Sequence, residues 1–305
     1  MRSKTDQTKK QEGKPPRVWP ILLSAILLLL GGAGVFFYPT LSNYLAERHQ
    51  MTVIQNYIDN VNEIDTTQME EEWAKAVQYN ENLAGDPVHD PFVPGSGYAL
   101  PGNYLDVLNV SNDGTMGYIE IPKISVNLPI FHGSDEEVLE RGAGHIEQTF
   151  LPIGSKGGHA VITGHRGLPQ AELFTRLDEL ELGDKFLIHV LDATLAYEID
   201  QITVVEPDEL SQIRPVPGED LVTLVTCTPY GVNTHRMLVR GHRTEYVAEE
   251  QIAMDSGVHV VIHGINEDMR NLGVALGLGI LMLILLLGLL SGRGRRKTDG
   301  TKTCE

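Results

Sequence analysis

The pattern of apolar and polar positions divides the chain into distinct regions. Two long apolar stretches lie near the ends, with 21 uncharged residues at 18–38 and 22 at 271–292. Residues 40–83 place apolar positions at helical spacing. From about residue 117 to 241 the chain forms short runs rich in Val, Ile, Thr and Tyr, divided by Gly, Pro and Asp. Many short strands with few helices predict a closed barrel or a sandwich.

The helical region contains the sequence "TTQMEEEWAKAVQYNENLAG", which begins with a possible pairing of Thr67 and Glu70 in a capping box. The residues predicted to form its apolar face are Met69, Trp73, Ala76 and Val77. Residues 84–103 contain four prolines and four glycines, which predicts a long loop. Loops of this length are usually linkers or functional lids.

Two shorter helices are predicted among the strands. "SDEEVLERG" begins with a second capping box, formed by Ser134 and Glu137. "QAELFTRLDEL" places Ala171, Phe174 and Leu177 on one helical face.

Each of the two apolar stretches is long enough to cross a bilayer, which needs about 20 predominantly apolar residues per helix. A cleaved signal peptide is the alternative for the first stretch. The sequence favours an uncleaved anchor, because the apolar run is long and no clear small-x-small cleavage site follows before Asn43. The second stretch has no signal-peptide interpretation.

The charge distribution indicates the orientation of the chain in the membrane and excludes some classes of binding partner. The net charge is −17, yet residues 1–17 carry six Lys and Arg against two acidic residues, and residues 291–305 carry five against two. Basic flanks stay in the cytoplasm, so both ends are predicted inside and residues 40–270 outside. The rest of the chain carries a net −24. Such an acidic outer region argues against nucleic acid and against an anionic-lipid-binding face.

The two cysteines, Cys227 and Cys304, are predicted on opposite sides of the membrane and therefore should not pair. An unpaired cysteine in an exported domain stands out, because that compartment favours disulfides. Cys227 is either a buried thiol that packs in the core or a nucleophile.

A nucleophilic thiol needs a base or cation nearby and a group that stabilises the oxyanion. His165, in "VITGHRGLP", follows an apolar strand and lies between two glycines; the alternative is a surface-loop histidine. Arg236 begins the strand after Cys227, so the two can face each other across adjacent strands. His235 precedes Arg236 and is expected on the opposite face of that strand, which makes it the weaker candidate for the base.

Metal and phosphate sites are not predicted. The outer region has no Cys-x-x-Cys or His-x-x-x-His pair. "GSKGG" at Gly154–Gly158 lacks the spacing and the following helix of a phosphate loop. We therefore expect neither a metal nor a cofactor.

Three motifs together resemble the sortases. "TLVTC" (223–227) is similar to their cysteine motif, "TGHRG" (163–167) to their histidine motif, and "CTPYGVNTHRMLVRG" (227–241) places Arg236 at the position of their essential arginine. The resemblance is closest to class C, the pilus-assembling sortases, and covers roughly residues 40–290. It departs from the family pattern at Met237 and Phe150, neither of which is a reacting group.

The resemblance implies a mainly β fold: an eight-stranded sortase β-barrel with short helices, an N-terminal helical segment and a lid loop, flanked by two transmembrane helices. It implies that His165, Cys227 and Arg236 are catalytic, with Cys227 at the end of the next-to-last strand and Arg236 on the last. Class C sortases carry an Asp-Pro-aromatic lid, and "HDPFVP" supplies Asp90 and Phe92. The lid interpretation has Asp90 reach Arg236 and Phe92 cover Cys227; the alternative is a plain Asp-Pro turn.

The expected organisation runs in chain order. The two termini are cytoplasmic tails (1–17 and 293–305), and the transmembrane helices are 18–38 and 271–292. The outer segments are a helical segment (39–84), the lid loop (85–105), the catalytic barrel (106–248) and a membrane-proximal segment (249–270).

The function implied by the resemblance is transpeptidation. Cys227 would cleave an LPXTG-like sorting signal of a pilin or surface protein through a thioacyl-enzyme, and a lysine of the next pilin subunit would resolve it. The implied partners are these proteins and the membrane, without nucleic acid or cofactor. The alternatives are a housekeeping sortase that acts on a cell-wall precursor, a papain-like thiol protease, and a non-enzymatic binding module.

Overall fold

The computed structural model describes residues 19–83, 103–209 and 211–247. Two helices come first. Helix α1 spans Trp19–Glu63 and continues through Pro39, and helix α2 spans Thr66–Leu83. Within the described residues, α1 contains the one segment that is long and apolar enough to cross a membrane. The second apolar stretch, 271–292, lies outside the described residues.

The start of α2 differs from the prediction. The capping box is formed by Asp65 and Gln68: the Gln68 N–H donates to Asp65 Oδ1 at 2.9 Å, and the Asp65 N–H donates to Gln68 Oε1 at 3.2 Å. The predicted box at Thr67 and Glu70 is wrong by two residues, in keeping with the stronger N-cap preference of Asp over Thr. The apolar face is shifted too: Ala76 is buried, whereas Val77 is exposed.

Eight strands form a closed barrel in the order β1-β2-β3-β4-β7-β8-β6-β5. Their bounds are β1 Thr115–Ile121, β2 Val126–His132, β3 Ala143–His145, β4 Gly158–Thr163, β5 Lys185–Val190, β6 Ala193–Val205, β7 Asp220–Thr228 and β8 His235–Thr244. The pairs β2/β3 and β4/β7 are parallel, and the others are antiparallel. The predicted eight-stranded barrel with short helices and an N-terminal helix is confirmed.

The barrel interior is closely packed with apolar side chains. Fully buried residues from five different strands meet there: Ile119, Ile130, Ile162, Val222 and Val239. The rings of Phe186 and Tyr197 stack with their centroids 5.5 Å apart. Gly241 makes room for them, because a Cβ at that position would lie 2.7 Å from a ring carbon of Phe186.

Of the two short helices predicted among the strands, one forms. Helix α3 spans Glu136–Arg141, and its N-cap is Asp135, whose Oδ1 accepts from the Val138 N–H at 2.9 Å, so the predicted cap at Ser134 is wrong by one residue.

The predicted helix at "QAELFTRLDEL" is reduced to a 3-10 turn at Leu177–Glu179. Leu173 adopts a left-handed conformation (φ +43°), which interrupts a helix, and the Phe174 N–H instead donates to the His165 carbonyl oxygen at 3.1 Å. The three residues expected on one apolar face, Ala171, Phe174 and Leu177, are nonetheless buried.

Helix α1 packs on the outside of the barrel through its second half, where Val53, Ile54, Tyr57 and Val61 are buried. The Tyr57 hydroxyl donates to the Met116 carbonyl oxygen at 3.1 Å and accepts from the Leu191 N–H at 2.8 Å. One continuous helix therefore joins the apolar N-terminal stretch to the barrel wall.

Candidate active site

Strand pairing places Cys227 and Arg236 side by side. Cys227 is the penultimate residue of β7, and Arg236 is the second residue of β8. They are directly opposite each other in the antiparallel β7/β8 pair, and such residues have Cβ atoms about 4.5–5.5 Å apart on one face. Within the described residues Cys227 is not part of a disulfide, and its side chain is partly exposed.

The loop after β4 brings His165 to the same level. In the parallel β4/β7 pair Thr163 is opposite Val225, so His165, two residues later, comes level with Cys227. Two hydrogen bonds fasten this loop to β7: the Gly164 N–H donates to the Val225 carbonyl oxygen at 3.1 Å, and the Thr226 hydroxyl donates to the Gly164 carbonyl oxygen at 2.8 Å. The three residues therefore form a row at one end of β4, β7 and β8, with His165 on the loop just after β4.

Only glycine fits at the turn that presents His165. A Cβ at Gly164 would lie 2.7 Å from a ring carbon of Phe174, which is fully buried. The ring of Phe174 thus packs directly on the loop backbone and holds the loop from the core side.

The environment of His165 favours its neutral form. Burial lowers the pKa of His165 below its usual value, and the carboxylates of Glu136 and Glu140 on α3 oppose this shift in part. At neutral pH the imidazole is therefore able to accept a proton.

His235 is directed elsewhere. Its Nε2 lies 3.2 Å from Oε1 of Glu206, just after β6, and its Nδ1 lies 2.9 Å from the Thr234 hydroxyl. Both ring nitrogens thus have partners other than the thiol, and the residue opposite His235 is Thr228, not Cys227. The lid candidates Asp90 and Phe92 lie outside the described residues.

The described residues contain no group of three or more His, Cys, Asp and Glu that could hold a metal ion. A cavity of about 450 Å³ lies between α2 and the segment before β1, lined in part by Glu71, Lys75 and Asp106. None of the three residues in the row lines it, so strand geometry rather than cavity volume locates the candidate site.

Comparison with known proteins supports one family. The model of the Sortase domain matches residues 119–244. Among curated proteins, sortase D of Bacillus subtilis is 34% identical over 130 residues, which are 42% of this chain and 63% of the relative. The chain spans less than two thirds of the length of the first curated relatives it matches.

Solved structures match more completely. Sortase C1 of GBS pilus island 1 is 43% identical with a TM-score of 0.60, and the match covers 65% of this chain and 93% of that one. The chain belongs to the sortase family, in its class C. Sortase C-1 of Actinomyces oris is 45% identical with a TM-score of 0.56, covering 59% of this chain and 99% of that one.

The structure of this sortase also shows a contact that the sequence did not reveal. Arg166, next to His165, is almost completely buried; its guanidinium pairs with the carboxylate of Asp178 and donates to the Thr228 hydroxyl at 3.3 Å. Thr228 directly follows Cys227, so Arg166 ties the histidine loop to the end of the cysteine strand. The basic residue after His165 was visible in the sequence, but its partners are 12 and 62 positions away.

The loop between β7 and β8 of the sortase lies over the same histidine loop. Gly167 has a positive φ of +80°, and a Cβ there would lie 3.0 Å from the ring of Tyr230. Tyr230 and Val232 are mostly exposed, at 60% and 65%. Tyr230 therefore gives the candidate site an apolar rim beside the histidine loop.

Proposed function

We propose that this sortase is a membrane-anchored cysteine transpeptidase that cleaves an LPXTG-like sorting signal and joins pilin subunits by isopeptide bonds. The observation that supports the proposal best is the row of His165, Cys227 and Arg236 across three neighbouring strands. An acid–base group and a cation on either side of one thiol suit acyl transfer through a covalent intermediate.

In the first half of the proposed reaction, the Cys227 sulfur attacks the carbonyl carbon of the Thr–Gly bond while its proton passes to His165. The resulting imidazolium donates that proton to the departing glycine amine. The peptide bond breaks, and a thioester to Cys227 remains.

In the second half, a neutral lysine amine attacks the thioester carbonyl. His165 takes a proton from the attacking nitrogen and returns it to the departing thiolate, so the enzyme is regenerated. In both halves the Arg236 guanidinium faces the oxyanion, a role in which a preorganised cation lowers the barrier.

The pilin substrate is favoured over a cell-wall precursor by the solved relatives. One is a sortase of a pilus island, and another is a Streptococcus pneumoniae sortase C with pilin substrate specificity. A housekeeping sortase, which would transfer surface proteins to a cell-wall precursor, is the second candidate, since several curated relatives are sortases A.

Membrane anchoring and the lid belong to the same proposal. The apolar part of α1 serves as the anchor, residues 271–292 as a second span, and both termini lie in the cytoplasm.

Asp90 and Phe92 close over the thiol when no substrate is bound. Replacing both by alanine should speed alkylation of Cys227 by a small reagent. An unchanged rate in a variant that still folds would mean that this segment is only a plain Asp-Pro turn.

The test of the reaction uses the full chain in detergent with a sorting-signal peptide. We expect mass spectrometry to find an acyl group on Cys227, and a peptide–lysine amide when a lysine-containing pilin is added. Cys227→Ala should give neither product. Hydrolysis without amide formation would contradict transpeptidation, and transfer to a cell-wall peptide amine instead of pilin would favour the housekeeping alternative.

A further inference from the structure

Strand directions define two ends of the barrel. The catalytic end is where β4 and β7 finish and β8 begins, since it carries His165, Cys227 and Arg236. Strand β3 is antiparallel to β4 and begins at this end. Strand β2 is parallel to β3, β1 is antiparallel to β2, and β5 is antiparallel to β1. The start of β1 and the end of β5 therefore lie at the opposite, distal end.

The first contacts of α1 are with the catalytic end. The Ser42 hydroxyl donates to the carbonyl oxygen of Gln170, five residues after His165, at 3.4 Å. Two turns later, Gln50 Nε2 donates to the carbonyl oxygen of Arg141, just before β3, also at 3.4 Å. The stretch 42–50 of α1 thus runs along segments that belong to the catalytic end.

The later contacts of α1 are with the distal end. Tyr57 bonds to Met116 at the start of β1 and to Leu191 just after β5. Asn60 Nδ2 donates to the hydroxyl of Ser111, which precedes β1, at 3.2 Å. Following α1 away from its apolar stretch therefore leads from the catalytic end of the barrel to the distal end.

The rise per residue of an α-helix gives the distance of each of these contacts from the apolar stretch. The apolar stretch 18–38 is about 31 Å long at 1.5 Å per residue, which matches a hydrocarbon core of about 30 Å. Ser42 lies only about 6 Å beyond the stretch, and Asn60 about 27 Å further on. Pro39 bends a helix without reversing it, and Ser42 is within one turn of it.

We infer that the catalytic end of the barrel faces the membrane, so that a sorting signal reaches Cys227 while the segment that follows it is still embedded in the bilayer. The inference rests on the proposed function for its anchor and its substrate. The levels of Ser42 and Gln50 are about 6 and 18 Å above the hydrocarbon boundary, a distance that an extended peptide covers in about two to five residues.

Charge shows that the helix, not lipid attraction, sets this orientation. Helix α3 at the catalytic end carries Glu136, Glu137 and Glu140, which an anionic lipid surface repels. Where α1 contacts this end, burial and the carboxylate of Glu172 both raise the pKa of Glu47. The orientation should therefore persist in zwitterionic lipid.

The direct test measures depth and needs no activity. The full chain, as Cys227→Ala with Cys304→Ser, is given a single dye at Gln170→Cys or, as the matched distal position, at Asp192→Cys, and is reconstituted in phosphatidylcholine vesicles. Both positions are exposed. We expect a nitroxide on the lipid headgroup to quench the dye at position 170 strongly and the dye at position 192 weakly. Equal quenching, or stronger quenching at position 192, would overturn the inference.

A second test links orientation to substrate use. Seven residues of helix inserted after Thr40 lift the barrel by about 10 Å and turn it by only about 20°. Cleavage of a substrate whose sorting signal is followed directly by a membrane span should fall about tenfold or more, as expected when reacting groups no longer meet. Cleavage of a soluble sorting-signal peptide should not change.

The matched control carries the same seven residues after Gly13, before the apolar stretch, and should behave as the parent. Equal losses on both substrates, or no loss on either, would contradict a membrane-facing site. A parent that fails to cleave even the soluble peptide would refute the proposed function, while the quenching experiment would still decide the orientation.

Discussion

Two histidines on neighbouring strands of the barrel show how environment separates structure from chemistry. His145, at the end of β3, is fully buried; its Nε2 lies 2.8 Å from the Phe150 carbonyl oxygen and its Nδ1 lies 3.0 Å from the Tyr104 hydroxyl. Burial lowers the pKa of His145 to about 4. His165, just past the end of β4, is only half-buried and lies level with a thiol and a guanidinium.

The difference teaches that burial and partners, rather than residue type, decide the role. A ring with both nitrogens held by the fold fixes a loop, because removing it leaves buried polar groups unsatisfied. A ring at an open strand end, beside a thiol, can exchange protons with a bound peptide. Variants at these positions test whether the two histidines differ in this way.

The largest effect is expected at the thiol. Cys227→Ala should abolish acyl-enzyme formation, because the nucleophile is lost while neither strand partner changes. Thermal unfolding should stay close to that of the parent, since the side chain is small and partly exposed. Any acyl group trapped on the variant and mapped to another residue would contradict the assignment.

The next effect separates the two histidines. His165→Gln should lower turnover about 10²–10⁴-fold with little change in stability, because only proton transfer is lost. His145→Gln should instead destabilise the fold by about 1–3 kcal/mol, because it disturbs buried hydrogen bonds, yet leave turnover per folded molecule near that of the parent. The measurements are kcat and a denaturant titration of each variant. Reversed results would assign the chemistry to His145.

An acid titration extends the comparison to the whole fold. Burial lowers the pKa values of His145 and His159 to about 4, from the usual value of 6.5. The unfolded chain therefore binds more protons between these values, and stability should fall as pH drops from about 6.5 to 4. Each histidine contributes up to about 3 kcal/mol to that loss, at 1.36 kcal/mol per pKa unit. In His159→Gln the slope of the free energy of unfolding against pH should be shallower, and an unchanged slope would contradict the burial argument.

Arg166 should give a smaller effect on turnover as a positioning residue. Arg166→Ala removes the link between the histidine loop and Thr228, and we expect kcat to fall about tenfold or more because His165 is misplaced relative to Cys227. KM should change little. Arg176→Ala, which breaks a more exposed pair with Glu179, is the control and should keep kcat. Equal kcat in the two variants would mean that the contacts of Arg166 do not position His165.

The smallest effect is electrostatic tuning of His165. Since burial lowers its pKa, the acid limb of the kcat/KM profile should lie below pH 6.5. Glu136→Gln with Glu140→Gln removes two carboxylates that raise this pKa, so the acid limb should move to still lower pH. Movement to higher pH would mean that another group controls the limb.

The sequence predicted the features that depend on nearby residues better than those that depend on distant residues. Strand runs and the spacing of Cys227 and Arg236 are local, and they correctly placed these residues on adjacent strands of a closed barrel or a sandwich; the family resemblance then indicated the barrel. The position of the α2 cap depended on competition between Asp65 and Thr67. The helix expected at 170–180 was lost because Leu173 turns left-handed and Phe174 pairs with the His165 loop. The partners of Arg166 come from distant segments, which a single sequence does not bring together.

The position of β8 has a consequence for the biosynthesis of the enzyme. This last strand fills the gap between β6 and β7, and its second residue, Arg236, completes the row beside Cys227. The pairing of β8 with β6 joins segments that are further apart along the chain than β7 and β8, and such pairings form more slowly because distant parts of the chain must meet first. During synthesis Cys227 is therefore made before Arg236, and a chain stopped short of residue 235 lacks the guanidinium that we propose faces the oxyanion.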